Sequence, residues 1–276
     1  PITYLNRLSV NSSSLTKAID ILQKRELDLK ILKTILKWQL EPDQELIAVK
    51  RLVEYDLVKT CDSFVFLRSE NKQQFINYIR EALNLLRERP YDIVENFDSP
   101  LYKVAASLIK ENRDQDFINL FIWYKLEKNK KIVVQDGVAY YEATPFQEND
   151  PFRHIQIPLL VRSKEAYIEN GHFVQKFEIY GKKISTVESV VIRDRYRLKN
   201  EIILPIKIYG NLGEFRVDCH YLNSLDSSLF SVFVRYDGHR LENIRRIPDI
   251  HITYKDREFT FYTTKVGNLG FSIKPV

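Results

Sequence analysis

The stretch "EKNKKIVVQDGVAYYEA", residues 127–143, is where the pattern of the chain changes. A charged run, Glu127 to Lys131, leads into two apolar runs that flank Asp136-Gly137. An Asp-Gly pair accepts the positive φ angles of a two-residue primed turn, so this spacing predicts a β-hairpin. The charged run closes what precedes it, and a period of two replaces the helical period from here on.

Upstream, apolar residues recur at helical spacing. "SLTKAIDILQKRE" sets Leu15, Ala18, Ile19 and Leu22 on one face, and "LDLKILKTILKWQL" does the same with Leu29, Leu32, Leu36 and Leu40. "NKQQFINYIREALNLLRERP" offers Phe75, Ile76, Ile79, Leu83 and Leu86 and stops near Pro90, which cannot continue a helix. Ser99-Pro100 is a helix start, with an oxygen cap before a proline at the first helical position. The segment "DFINLFIWYKLE" is apolar nearly all round and is expected to be buried.

Downstream come "RHIQIPLLV", "HFVQKFEIY", "EIILPIKIY", "LFSVFVRY", "DIHITY" and "EFTFYTT", short strands separated by turn signals at Asn170-Gly171, Gly181, Asn211 to Gly213 and Asp237-Gly238. Such spacing predicts an antiparallel sandwich or barrel. The fold class is therefore α+β, with an all-α domain over 1–126 and a β-domain over 132–276.

Composition agrees with a folded chain. Of 276 residues, 44% are apolar and 29% charged, outside the range of disordered segments. The net charge of +5 is spread along the chain, about +2 before residue 131 and +3 after it, so no half is a concentrated basic block. Cys61 and Cys219 fall in different domains and form no disulfide framework, which predicts a reducing compartment and a cytoplasmic protein. The opening "PITYLNRLSV" lacks the pattern of a signal peptide, and no apolar run approaches the length of a membrane span.

Two resemblances add to this reading. Residues 41–89 read as a helix "DQELIAVKRLVEYD", a strand "LVKTC", a turn at Asp62-Ser63, a strand "FVFL" and a further helix. That order resembles the winged helix that follows the ATPase core of STAND-type signalling NTPases, and those of bacterial transcription regulators. The resemblance implies a docking or DNA-reading element whose contacts would be Lys50, Arg51, Lys59 and Arg68. The carboxylates of Glu41, Asp43 and Glu45 at the helix start repel phosphates, which favours docking over groove reading. The chain has no GxxxxGK[ST] motif, so nucleotide hydrolysis does not follow from it. "YGNLGEFRV" (209–217) and "VGNLGFSI" (266–273) resemble the glycine-turn strand endings of transthyretin-like or carboxypeptidase-regulatory β-sandwiches.

The basic feature with the clearest geometry is "VIRDRYRLK", 191–199. On a strand, Arg193, Arg195, Arg197 and Lys199 share one face, about 6–7 Å apart, as a ladder for phosphates or an acidic surface. The alternatives are a helix begun by a Ser185/Glu188 capping box, and a solvated edge strand protected by its charge. "HRLENIRRIPD", 239–249, adds Arg240, Arg245 and Arg246, which either extend the ladder or solubilise what reads as a long loop.

Enzyme signatures are thin. Cys219 and His220 would face opposite ways on a strand, and the five histidines show no HExxH or CxxC spacing. A catalytic reading would need Asp218, His220 and Asp249 to converge. No catalytic, cofactor or metal residue is assigned. The sequence thus leads to a non-enzymatic intracellular regulator or adaptor acting through protein–protein contacts. The second reading is a nucleic-acid-binding winged-helix regulator of transcription or defence, and the third an enzyme of unknown class. The expected partner is a protein, with nucleic acid second and no membrane.

Overall fold

The computed structural model describes residues 20–197, 201–226, 228–245 and 250–276. The chain divides into two compact units. One is helical and holds the chain up to Lys130 with Ala143–Ile155, and the other is β-rich and holds Lys131–Glu142 with Gln156–Val276. The segment 143–155, expected in the β-domain, belongs with the helices.

The helical unit begins with α1 (Ile21–Ile35), which buries Leu29, Leu32 and Ile35; the expected Leu15, Ala18 and Ile19 lie outside the described residues. α2 (Pro42–Lys50) starts on a proline whose missing N–H costs nothing at that position. Here the winged-helix expectation is corrected. The chain does not turn into strand "LVKTC"; it continues as a π-helix over Arg51–Val58 and a 3-10 turn over Lys59–Cys61. "FVFL" lies in a short helix, α3 (Phe64–Arg68), whose N-cap Ser63 accepts the Phe66 N–H at 3.2 Å.

The physical reason is a stripe. Val49, Val53, Leu57 and Cys61 recur every four residues and all are buried to 2% exposure or less. A spacing of four drifts about 40° per step on an α-helix. Widening the turns to the π form offsets that drift and keeps the stripe facing the core. Burial of a continuous stripe outweighs the β propensity of the valines, which is a weak preference that context overrides.

α4 (Lys72–Leu85), α5 (Pro100–Lys110) and α6 (Asp114–Leu126) complete the bundle. Phe66 is its hub: the rings of Phe75, Phe117 and Phe121 lie edge-on to it at 5.5, 6.1 and 6.3 Å. Ser99 stands at the N-cap of α5 as expected, but makes no side-chain cap. The buried carboxylate of Glu54 takes that role, accepting the N–H groups of Asp98 and Ser99 at 3.0 and 2.8 Å. Burial pushes the Glu54 carboxyl above its ordinary range, and the two N–H bonds only partly offset it. Segment 143–155 is tied down by Arg113, which pairs with Asp116 at 2.7 Å and with Asp150 and lies over the rings of Phe146 and Phe152.

In the β unit the expected hairpin forms, β1 (Ile132–Gln135) against β2 (Val138–Glu142), with Asp136 and Gly137 at φ 49° and 73°. The short β3 (His154–Gln156) follows as the chain returns to this unit. β4 (Leu160–Glu169), β5 (His172–Tyr180), β6 (Val187–Asp194), β7 (Glu201–Tyr209) and β8 (Leu212–Asp218) come next. A short helix, α7 (Cys219–Asn223), precedes β9 (Leu229–Tyr236) and β10 (Arg240–Arg245).

These close a seven-stranded ring in the order β4-β5-β8-β7-β6-β9-β10 and back to β4. All pairings are antiparallel except the closure, where Ile244 and Arg245 run parallel to Val161 and Arg162. A closed ring leaves no sheet edge to protect.

Residues 240–245, expected within a long loop, are therefore the closing strand. β9 makes closure compatible with a second sheet by dividing one of its edges. Its residues 233–236 pair with β10 and 229–231 pair with β13 (Leu269–Pro275). β12 (Arg257–Thr263) and β11 (Ile250–Tyr254) extend that sheet.

The barrel interior is packed, with Phe261 of β12 stacked on Phe173 at 3.7 Å and on Phe271 at 4.4 Å. β4 carries a bulge between Ser163 and Glu165, which the fully buried Gln175 satisfies by donating to Ser163 Oγ and Glu165 O at 2.8 and 2.9 Å. The two similar fragments, 209–217 and 266–273, each supply a hairpin turn and the strand after it, β8 and β13. No helix among the described residues is long and apolar enough to cross a membrane.

Candidate functional site

The arginine ladder does not form. β6 ends at Asp194, whose side chain accepts the N–H groups of Tyr196 and Arg197 at 2.8 and 3.0 Å and bends the chain out of the strand. Burial raises the Asp194 pKa, but these bonds outweigh it and hold the carboxyl below its ordinary range.

On either side of the bend the cations disperse. Arg193 pairs with Glu201 at 2.6 Å, Arg195 donates to Ser231 Oγ at 3.0 Å, and Arg197 pairs with Asp226 at 2.9 Å. Arg245 ends β10, with Glu242 at 3.9 Å. Lys199 and Arg246 lie outside the described residues.

Asp218 and His220 form no catalytic pair. Asp218 caps α7 by accepting the His220 N–H at 2.7 Å, and Asp249 lies outside the described residues. Of the wing contacts, Lys50 is bound to Asp98 at 2.6 Å, and Arg68 lies over the Phe64 ring at 5.6 Å. Arg51 and Lys59 instead share one helical face with Tyr55.

One cleft, in the helical unit, has a volume of about 750 Å³. It lies between the second half of α4, the turn 86–93 and the end of α5. In the sequence, Leu83 and Leu86 read as part of an apolar helical face and Pro90 as its stop. Leu83, Leu86, Ile93 and Ile109 give it an apolar floor, and Arg80, Arg87, Arg89 and Lys110 give it a cationic rim. Two helix C-termini end here, so cations are favoured by the partial negative charge of the last carbonyls.

Three of these cations are already matched. Arg80 pairs with Asp114, Lys110 with Asp92 at 2.8 Å, and Arg89 with Glu45 at 3.3 Å. Burial raises the Asp92 pKa, but Lys110 and the Val94 and Glu95 N–H groups outweigh it, so Asp92 stays ionised as a rim partner. Glu45 is buried and also accepts the Tyr91 hydroxyl at 2.6 Å, which fixes the rim turn. Arg87 is exposed and makes no side-chain hydrogen bond or ion pair among the described residues. The cleft therefore presents one uncompensated cation over an apolar floor, a combination that suits a monoanion with an apolar body. Among the described residues no group of three or more His, Cys, Asp or Glu side chains is placed to hold a metal ion.

No protein-family model and no curated protein matches the chain. Among solved structures it is similar to the 217–571 fragment of Staphylococcus aureus TarS, with 13% identity, a TM-score of 0.40, and coverage of 92% of this chain and 77% of that one. A second TarS structure is similar with 13% identity and a TM-score of 0.38, covering 94% of this chain and 49% of the other, so the chain spans about half that length. The expectation of a non-enzymatic regulator or adaptor finds no support in these comparisons. At these TM-scores the likeness carries no residue role, substrate or mechanism over to this chain.

Proposed function

We propose that the helical unit binds a monoanionic ligand with an apolar body in the cleft between α4 and α5. The observation that supports this reading is Arg87, an uncompensated guanidinium on the rim of a 750 Å³ cleft whose other three cations are each matched by a carboxylate. A charge-assisted hydrogen bond to such a group contributes roughly 1.5–3 kcal/mol. That corresponds to about tenfold or more in affinity.

The test uses 4-phenylbutyrate as a monoanionic amphiphile and its neutral amide as control, by isothermal titration with the full chain. The carboxylate is expected to bind and the amide to bind at least tenfold more weakly. Arg87→Ala is expected to remove that preference while leaving the melting temperature unchanged. Equal binding of acid and amide, or an acid affinity that Arg87→Ala leaves intact, overturns the reading.

A further inference from the structure

A second cleft, of about 510 Å³, lies between α1 and the π-helix and contains the two wing residues that the fold redirected. Arg51, Tyr55 and Lys59 recur every four residues on the π-helical side, and Lys24 and Arg25 face them from α1. Arg25 forms the floor. It is only 4% exposed, donates to Thr60 Oγ1, lies 2.9 Å from Asp28, and keeps its Nε–H without a partner.

The available charges are on the rim. Lys24 and Arg51 make no side-chain hydrogen bond or ion pair among the described residues, and the Lys59 ammonium lies over the Tyr55 ring at 5.2 Å. Asp28 and Asp56 are the acids facing these groups, the first bound to Arg25 and the second on the cleft wall. Burial raises the Asp28 pKa, which Arg25 partly offsets. Four cations against two carboxylates leave a surplus of two positive charges.

From this surplus and geometry we infer that the α1/π-helix cleft is a site for the terminal phosphate of a phosphomonoester. A phosphomonoester carries about −1.5 to −2 charge near pH 7 with a second pKa near 6, and three acceptor oxygens. A carboxylate or a phosphodiester carries a single charge and would leave half of the surplus unmatched. The guanidinium of Arg51 matches two phosphate oxygens at once, and Lys24 and Lys59 supply point charges to the third. This site shares no residue with the cleft that Arg87 lines, so the two proposals stand or fall separately.

The test measures binding of inorganic phosphate, methyl phosphate and dimethyl phosphate to the full chain by isothermal titration at constant ionic strength. Methyl phosphate is expected to bind at least tenfold tighter than dimethyl phosphate at pH 7.5. Its affinity should fall severalfold at pH 5.5, where it becomes a monoanion. Arg51→Ala and Lys24→Ala are each expected to weaken methyl phosphate about tenfold, whereas Arg87→Ala leaves it unchanged. Neither substituted side chain is buried, so loss of folding does not confuse the result, and an unchanged melting curve verifies this. Dimethyl phosphate binding as tightly as methyl phosphate overturns the inference, as does methyl phosphate binding that survives both Arg51→Ala and Lys24→Ala.

Discussion

Phe66→Ala is expected to destabilise the helical unit by about 3–5 kcal/mol. Phe66 is fully buried and three aromatic rings meet it edge-on, so truncation leaves a cavity and removes ring–ring contacts of about 0.5–1.5 kcal/mol each. Phe64, two residues earlier, is 49% exposed, with the cations of Arg68 and Lys125 each 5.6 Å from its ring. Phe64→Ala should therefore cost about 1 kcal/mol or less.

The pair discriminates between the two secondary structures. On a wing strand both rings would lie on one face and their loss would cost alike. On α3 only Phe66 reaches the core. Guanidinium unfolding followed by tryptophan fluorescence measures this cleanly, because Trp38 and Trp123 are the chain's two tryptophans and both lie in the helical unit. Equal costs for Phe64→Ala and Phe66→Ala would refute the packing described here.

Glu242→Gln is expected to stabilise the β unit by about 2 kcal/mol at pH 8 and to change little at pH 4.5. Glu242 lies opposite Val234, whose side chain belongs to the barrel core, so its carboxyl points inward from the closing strand. Burial pushes its pKa up to about 7, with Arg245 and the Asn243 N–H offsetting only part of the shift. Arg240 on its own strand, Tyr236 on β9 and Tyr141 on β2 are the other titratable groups that face this region.

The sign follows from linkage. The folded pKa lies above the unfolded value, so the folded state holds the proton more tightly. Stability is greatest when the group is protonated and falls as pH rises from about 4.5 through 7. The full shift corresponds to about 3 kcal/mol, reduced because the side chain is 23% exposed. The amide that replaces the carboxyl in Glu242→Gln carries no charge and should flatten this profile. Calorimetric melting of both proteins from pH 4.5 to 8 checks it, and parallel pH profiles would exclude ionisation of Glu242 as a cost to the barrel. The effect should be felt at the seam, since β10 is held to β4 by two parallel pairs, Ile244 with Val161 and Arg245 with Arg162.

Much of the β unit was legible along the chain. β5, β7 and β9 lie within the apolar runs that predicted them, and Asp136-Gly137 makes the expected turn. Strand alternation and turn chemistry are local, so a local reading recovers them. β10 was not legible, because "RLENIR" alternates poorly and becomes a strand only through the register that β9 and β4 impose. The stretch 51–61 held a usable signal, the spacing of four through Val49, Val53, Leu57 and Cys61, but β-branched composition pointed the other way.

The candidate sites divide in the same manner. By itself the sequence determined the α+β division near 127–131, most strand positions and the inventory of cations. Tertiary structure alone decided which cations remain available. Arg193, Arg195 and Arg197 are taken up by Glu201, Ser231 and Asp226 from elsewhere in the chain, while Arg51 and Arg87 find no such partner among the described residues. Periodicity acts over neighbouring residues and can be read in order. Charge compensation acts between residues far apart in sequence, so only the folded chain assigns it.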